Sequence, residues 1–221
     1  MNESARTDDR GEARGERVTE DLRLFKQARE GDFSAFEKLV LRFEKQIHRL
    51  AYRILGQSAD AEDVVQQTFL TLIEKIDTFR GDAAPGTWLL RIATNHALKI
   101  LRKKRGLLTF SLDVSENADQ ATPHPQFIAK WKETPAELAE RAEVRELLDQ
   151  ALNELDDIYR LVFILRDIEG LSILETSDIL GITVANVKVR LLRARLQLRE
   201  RLTRQLGDEQ HRLMPDHSHP M

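Results

Sequence analysis

Apolar residues recur at three- and four-residue steps through most of this chain. Strict two-residue alternation is absent, so the pattern predicts helices and no strands. The helical period begins at Leu22. Gly31 and Asp32 then break one helix, and Asp32 or Ser34 can cap the next. That helix carries Phe36, Leu39, Val40, Phe43, Ile47, Leu50, Ala51 and Ile54 on one face and ends at Gly56. Ser58 and Asp60 precede a further amphipathic stretch with Val64, Val65, Phe69, Leu72, Ile73 and Ile76. "RGDAAPG" reads as a loop by its Gly and Pro content. Thr87 can cap the strong helix "WLLRIATNHALKILRKKR" that follows.

From Gly106 the period decays over about thirty residues that hold three prolines, which predicts a flexible linker over 106–135. Phe127, Ile128 and Trp131 are apolar for a linker and are candidates to dock on a neighbour. A second helical block follows over 136–206, punctuated by Gly170 and Gly181. The expected fold class is all-α, with two small helical domains, 20–105 and 136–206, joined by the linker. Residues 1–19, charged and poor in apolar side chains, are expected to be disordered, and 207–221 to form a flexible tail.

The second block ends in "LSILETSDIL", the turn "GIT" and a long basic helix, the layout of a helix-turn-helix. Gly181 supplies a left-handed turn position and Thr183 a cap. On a helical wheel Val187, Leu191, Ala194, Leu198 and Leu202 form the stripe that faces a core. The opposite face holds Lys188, Val189, Leu192, Arg193 and Leu196. Such a face suits the major groove, with Lys and Arg for guanine edges and Val and Leu for thymine methyls. Arg190, Arg195 and Arg199 flank it and are candidates for phosphate contacts. The bland alternative is a solvated Arg-rich helix whose off-stripe leucines pack on the linker.

Composition narrows the choice. The 221 residues carry a net charge of −3, so overall charge does not point to nucleic acid. The basic residues instead cluster at Arg102 to Arg105 and Lys188 to Arg204. No cysteine is present, which excludes disulfides, thiolate zinc sites and a cysteine nucleophile, and suits a reducing cytoplasm. The N-terminus lacks the apolar segment of a secretory signal, and no apolar run approaches spanning length, so no membrane insertion is expected. Asp60, Glu62 and Asp63 form an acidic cluster, and His48 and His96 sit on predicted helices. No ligand-spaced set, phosphate loop or nucleophile motif accompanies them, so no catalytic residue, metal or cofactor is expected. His211, His217 and His219 in the tail fit a flexible segment better than a metal site.

The last helix of the first block has its own polar stripe, Arg91, Asn95, Lys99 and Arg102, running into Lys103, Lys104 and Arg105. Two such surfaces on one chain suggest two separated DNA elements bound together. At this point four stretches, in order, carry a resemblance: "GDFSAFEKLVLRFEKQIHRLAYRILG", "DAEDVVQQTFLTLIEKI", "FRGDAAPGTWLLRIATNHALKILRKKR" and "DILGITVANVKVRLLRARLQLRERL". Together they resemble the extracytoplasmic-function group of bacterial sigma factors, from about Leu22 to Leu206 without the linker. The resemblance implies a subunit that joins core RNA polymerase, directs it to promoter DNA and is controlled by an anti-sigma factor. It implies that the first domain reads and melts the minus-ten element and the second reads the minus-thirty-five element. It places the core-polymerase surface on Asp60, Asp63, Gln66, Gln67 and Phe69. It places capture of a flipped promoter base on the loop Phe79 to Gly86, with Phe79, Arg80, Gly81, Asp82 and then Trp88 at the melted strand.

The chain departs from the family's pattern in places. Gln66-Gln67-Thr68-Phe69 stands where "QETF" is frequent, Pro85 replaces an aromatic, Val189 replaces a frequent serine, and Leu192 stands where a bulkier or polar residue is usual. The last two imply a distinct promoter preference. The alternative function is a stand-alone helix-turn-helix regulator that binds DNA without polymerase. It would need a sensor or dimerisation domain, which the first block does not resemble.

Overall fold

Of the two capping residues that the sequence offers after Gly31, Asp32 is the one used. Its carboxylate accepts a hydrogen bond from the Ala35 N–H at 3.2 Å, satisfying a donor that every helix start leaves unpaired. The computed structural model describes residues 4–105 and 142–206. Every regular element among them is helical. The first half holds α1 (Ser4–Arg29), α2 (Phe33–Leu55), α3 (Ser58–Lys75), a 3₁₀ turn (Ile76–Thr78) and α4 (Pro85–Arg105). The second holds α5 (Ala142–Asn153), α6 (Asp157–Phe163), a wide π turn (Ile164–Ile168), α7 (Ile173–Leu180) and α8 (Val184–Leu206). The chain divides into two units, Met1–Gly106 and Leu107–Met221.

In the first unit α2, α3 and α4 pack on one another, and α1 lies against α2 and α4. Leu39, Ile47, Leu50, Ile54, Val64, Leu72 and Leu89 are fully buried, each side chain stabilising the fold by about 1.5–3 kcal/mol. Leu24 and Phe25 bring α1 into this core. Asp21 fixes its register through an ion pair with Arg42 Nε at 2.7 Å. Burial pushes the Asp21 carboxyl pKa up, and the Arg42 charge pulls against that shift.

Two expectations are revised here. The stretch 1–19 is helical from Ser4 onward, as part of α1. Its lack of apolar residues argues against burial, not against helix. Its arginines and glutamates favour helix and offset Gly11 and Gly15, which do not. It also continues without a break from turns already docked at Asp21, so each added residue gains a hydrogen bond without a new nucleus. The exposed Glu20–Arg23 pair at 2.7 Å adds local support. The second revision concerns Thr87, which lies inside α4. That helix starts at Pro85, with the Trp88 N–H donating to the Ala84 carbonyl at 3.1 Å. Proline fits this first position because its missing N–H would have had no intrahelical partner there.

In the second unit Ala151, Leu152 and Leu155 pack with Ala194 and Leu198 of α8. Leu161, Val162, Ile164 and Leu165 add buried side chains from α6 and the π turn. The linker over 106–135 with Phe127, Ile128 and Trp131, and the tail over 207–221 with its histidines, lie outside the described residues.

Candidate nucleic-acid and polymerase interfaces

The helix-turn-helix is built by local hydrogen bonds that the sequence specifies. Ser172 Oγ accepts from the Glu175 N–H at 3.1 Å, and the Glu175 carboxylate accepts from the Ser172 N–H at 2.7 Å. This reciprocal capping box fixes the start of α7. Gly181 ends α7 in the left-handed region at φ 66°, where a β-carbon would be strained. Ser177 Oγ then donates to the Ile182 carbonyl at 2.5 Å. Thr183 Oγ1 accepts from the Asn186 N–H at 3.2 Å, so Thr183 caps α8 at the end that meets the turn.

α8 presents the two faces that its pattern implies. Val187, Leu191, Ala194 and Leu198 are buried, while Val189 is 48% and Leu192 53% exposed. Lys188 and Arg199 are exposed beside them, and Leu196 is half-buried. Arg193 is half-buried and donates toward the Tyr159 hydroxyl at a long 3.5 Å. Arg190 requires a correction: it is only 6% exposed and so does not flank the open face. It stands three residues after Val187 and four before Ala194, on the core side of the wheel. A charged side chain reads as exposed from sequence, and here position overrides type. Arg195 is on the surface but engaged. Its Nε and Nη2 donate to both oxygens of Asp167 at 2.8 and 2.7 Å, and these bonds raise the guanidinium pKa further. Asp167 belongs to the π turn, a wide backbone turn of the kind that often marks functional sites.

In the first unit, Arg91, Asn95, Lys99, Arg102 and Lys103 are all exposed along α4. His96, which feels the charges of Lys99 and Lys75, is half-buried, with a ring nitrogen 3.0 Å from Thr71 Oγ1. Burial first, then the two lysines, lower its pKa. The loop before α4 leaves Arg80, Gly81 and Asp82 exposed, with Gly81 at φ 81°. Phe79 and Trp88 anchor the two ends of the loop. Their rings lie 5.5 Å apart, and both contact Phe25 of α1, at 5.1 and 6.0 Å. Beside this aromatic cluster is an open cleft of about 180 Å³, with Phe79, Arg80 and Gly81 on one side and Phe25, Lys26 and Arg29 of α1 on the other. Sequence reasoning missed the α1 side, because Lys26 and Arg29 precede the loop by some fifty residues.

On α3, Asp63, Gln66 and Gln67 are exposed. Asp60 is held by the Lys104 ammonium at the far end of α4, which also donates to Gln57 Oε1 at 2.9 Å. Phe69 is a second correction: only 8% of it is exposed, and it belongs to the core of the unit. Its turn position places it with Val64 and Leu72, not with Gln66 and Gln67. A cleft of about 370 Å³ that sequence reasoning did not anticipate lies between α2 and α3, bounded in part by His48, Arg49, Glu62 and Gln66. Among the described residues no group of three metal-ligating side chains converges, and no helix is long and apolar enough to cross a membrane.

Known proteins share these two units in the same order. Residues 39–106 match the family Sigma-70 region 2, and residues 145–198 match Sigma-70, region 4. The ECF RNA polymerase sigma factor SigW of Bacillus subtilis is 34% identical over 177 residues, which cover 80% of this chain and 94% of that protein. The ECF RNA polymerase sigma-E factor of Escherichia coli is 33% identical over 184 residues, covering 81% of this chain and 92% of that one. Among solved structures, CnrH in complex with the cytosolic domain of CnrY is similar at a TM-score of 0.57 and 27% identity, over 84% of this chain and 98% of that one. The sigma factor RpoE of Bartonella quintana, solved with the anti-sigma factor NepR, shares the fold at a TM-score of 0.55 and 24% identity, over 76% and 96%. With both regions matched in order and a third of the residues identical over most of its length, this chain belongs to the ECF RNA polymerase sigma factors.

Proposed function

We propose that the protein joins core RNA polymerase and directs it to a specific set of promoters, each recognised at two separated elements. The observation that carries this reading is the pair of units, matched in order to regions 2 and 4, each with an exposed helix face of polar and cationic side chains. In this reading α8 enters the major groove of the minus-thirty-five element. Lys188 and Arg193 contact base edges, Val189 and Leu192 meet thymine methyls, Arg199 contacts phosphate, Arg195 can do so only when released from Asp167, and Thr183 sets the start of the helix. The α4 face from Arg91 to Lys103 tracks the melted strand of the minus-ten element, and the loop Phe79 to Gly86 takes an unstacked base. The exposed residues Asp63, Gln66 and Gln67 meet the core enzyme. Asp60 supports that surface through Lys104, and Phe69 from beneath.

The chain supplies recognition, and its partner polymerase, in the cytoplasm, supplies the chemistry. An anti-sigma protein is the proposed regulator. CnrH, at 27% identity, is solved with the cytosolic domain of CnrY. In this chain Phe33 is 77% and Leu41 68% exposed on α2, and Leu174 is 72% exposed on α7, apolar side chains that a partner could cover. The test is run-off transcription with purified core enzyme and mapping of the start sites. Promoter-specific starts that require this protein support the reading. Specific DNA binding as a dimer, with no stimulation of core polymerase, would replace it with a stand-alone regulator.

A further inference from the structure

The cleft beside Phe79 has a second wall. Leu22, Phe25, Lys26 and Arg29 fall on one side of α1 at steps of three and four residues, and all four line it. Phe25 is buried and touches both Phe79 and Trp88. The apolar lining is therefore mixed, with Phe79 backed by the buried Phe25 and flanked by Leu22 and Ile76. Lys26 and Arg29 are exposed at the rim, across from Arg80, and no acidic side chain lines the cleft. At about 180 Å³ the space is smaller than the roughly 300–1,000 Å³ of pockets for drug-sized ligands. It suits one planar ring with its phosphates outside. An aromatic ring, here Phe79, beside a cationic rim is the combination that holds single-stranded nucleic acid, bases by stacking and backbone by charge. The position of this wall is set by the Asp21–Arg42 ion pair and by Leu24 in the core. The region 2 match begins at residue 39, so α1 lies outside it.

We infer that α1 is part of the promoter-strand site: Lys26 and Arg29 hold the phosphates flanking the nucleotide whose base enters the cleft beside Phe79. This rests on the reading that the Phe79 to Gly86 loop takes an unstacked base. The alternative role for two cations in the last turn of a helix is to balance its dipole, which would affect stability and not DNA.

The test uses holoenzyme reconstituted from the full chain and core polymerase. The probe is a fluorescent single strand carrying the minus-ten region of a promoter mapped by run-off transcription. It is used intact and with an abasic site at each position in turn. Lys26→Ala with Arg29→Ala should weaken binding of the intact strand by on the order of tenfold at low salt. It should also flatten the dependence of log affinity on log salt by about 1.4, at roughly 0.7 per lost single-strand contact. Lys26→Arg with Arg29→Lys, which keeps both charges, should restore most of the binding. If the alanine variant loses thermal stability but binds with unchanged affinity and slope, while one abasic position is still discriminated, the α1 contact is overturned and base capture stands. If no abasic position matters in the unaltered protein, the capture reading fails, and with it the placement of the nucleotide between Phe79 and α1.

Discussion

At the scale of single residues, the arginines of α8 divide by what already holds them. Arg195 is on the surface, but its Nε and Nη2 each donate to one oxygen of Asp167, at 2.8 and 2.7 Å. An exposed pair of this kind stabilises the fold by no more than about 1 kcal/mol. It nevertheless holds the guanidinium in one place and offsets its charge. Asp167→Asn should therefore leave stability nearly unchanged, raise affinity for a duplex minus-thirty-five element a few-fold, and steepen the salt dependence by about 0.9 for one added phosphate contact. Titrations at two salt concentrations, with cognate and scrambled duplexes, would show the gain equally on both. An unchanged slope would mean that Arg195 does not reach the backbone. Arg190 and Arg199 should behave as opposites. Arg199 is exposed, and Arg199→Ala should flatten the slope by about 0.9 with little change in melting temperature. Arg190 is 6% exposed, and Arg190→Ala should lower stability by about 1–3 kcal/mol, through lost packing and unpaired neighbours, and leave the slope alone. Equal effects of the two changes would show that burial does not sort them.

At the scale of elements, His96 makes the α3–α4 contact sensitive to pH. Its folded pKa is depressed by burial and by Lys99 and Lys75, so the native state holds the neutral ring 3.0 Å from Thr71 Oγ1. Below the ordinary histidine value of about 6.5, the unfolded chain takes up the proton more readily than the native protein. Stability is therefore lost as pH falls from there through the depressed native value, and levels off beyond it. Asp21 acts with the opposite sign and at more acidic pH. Its pKa is raised by burial, so the native state gains the proton first. Thermal melts between about pH 7.5 and 5.5 should show a loss in the unaltered protein that His96→Gln removes. If the glutamine variant loses as much, the sensitivity lies elsewhere. Many element boundaries were legible in the sequence, because local chemistry fixes them: Asp32 after Gly31, Gly56, and Gly181 before Thr183. The core stripe of α8 was legible from its period. What escaped depends on partners far along the chain. Asp60 meets Lys104 and Asp167 meets Arg195 across 44 and 28 residues, and no periodicity reports such pairs. The same holds for the α1 wall of the Phe79 cleft. Thr87 was misread because threonine is the stronger capping residue by type, while Pro85 two positions earlier had already set the helical backbone.

At the scale of the whole molecule, the proposed function depends on three surfaces carried by two units, and these can be separated by mutation. Two DNA contacts on one chain reinforce each other only when both elements are in reach, which raises apparent affinity without any new contact. Attachment to polymerase is a different surface and should fail independently. On α3, Asp63 is exposed, whereas Asp60 is tied to Lys104 and Gln57. Asp63→Arg should thus weaken association with core polymerase by at least about tenfold, as reversal of one interfacial charge can. Its melting curve, and the binding of a minus-thirty-five duplex by the free protein, should match those of the unaltered chain. Asp60→Arg should differ by lowering the melting temperature as well, because it sets two cations against each other at the junction of α3 and α4. Fluorescence titration of labelled protein with core enzyme, alongside thermal melts of each variant, reads both outcomes. If Asp63→Arg binds core with unchanged affinity, the polymerase surface is not this face of α3. The cleft between α2 and α3 at His48 and Glu62 then becomes the next surface to alter.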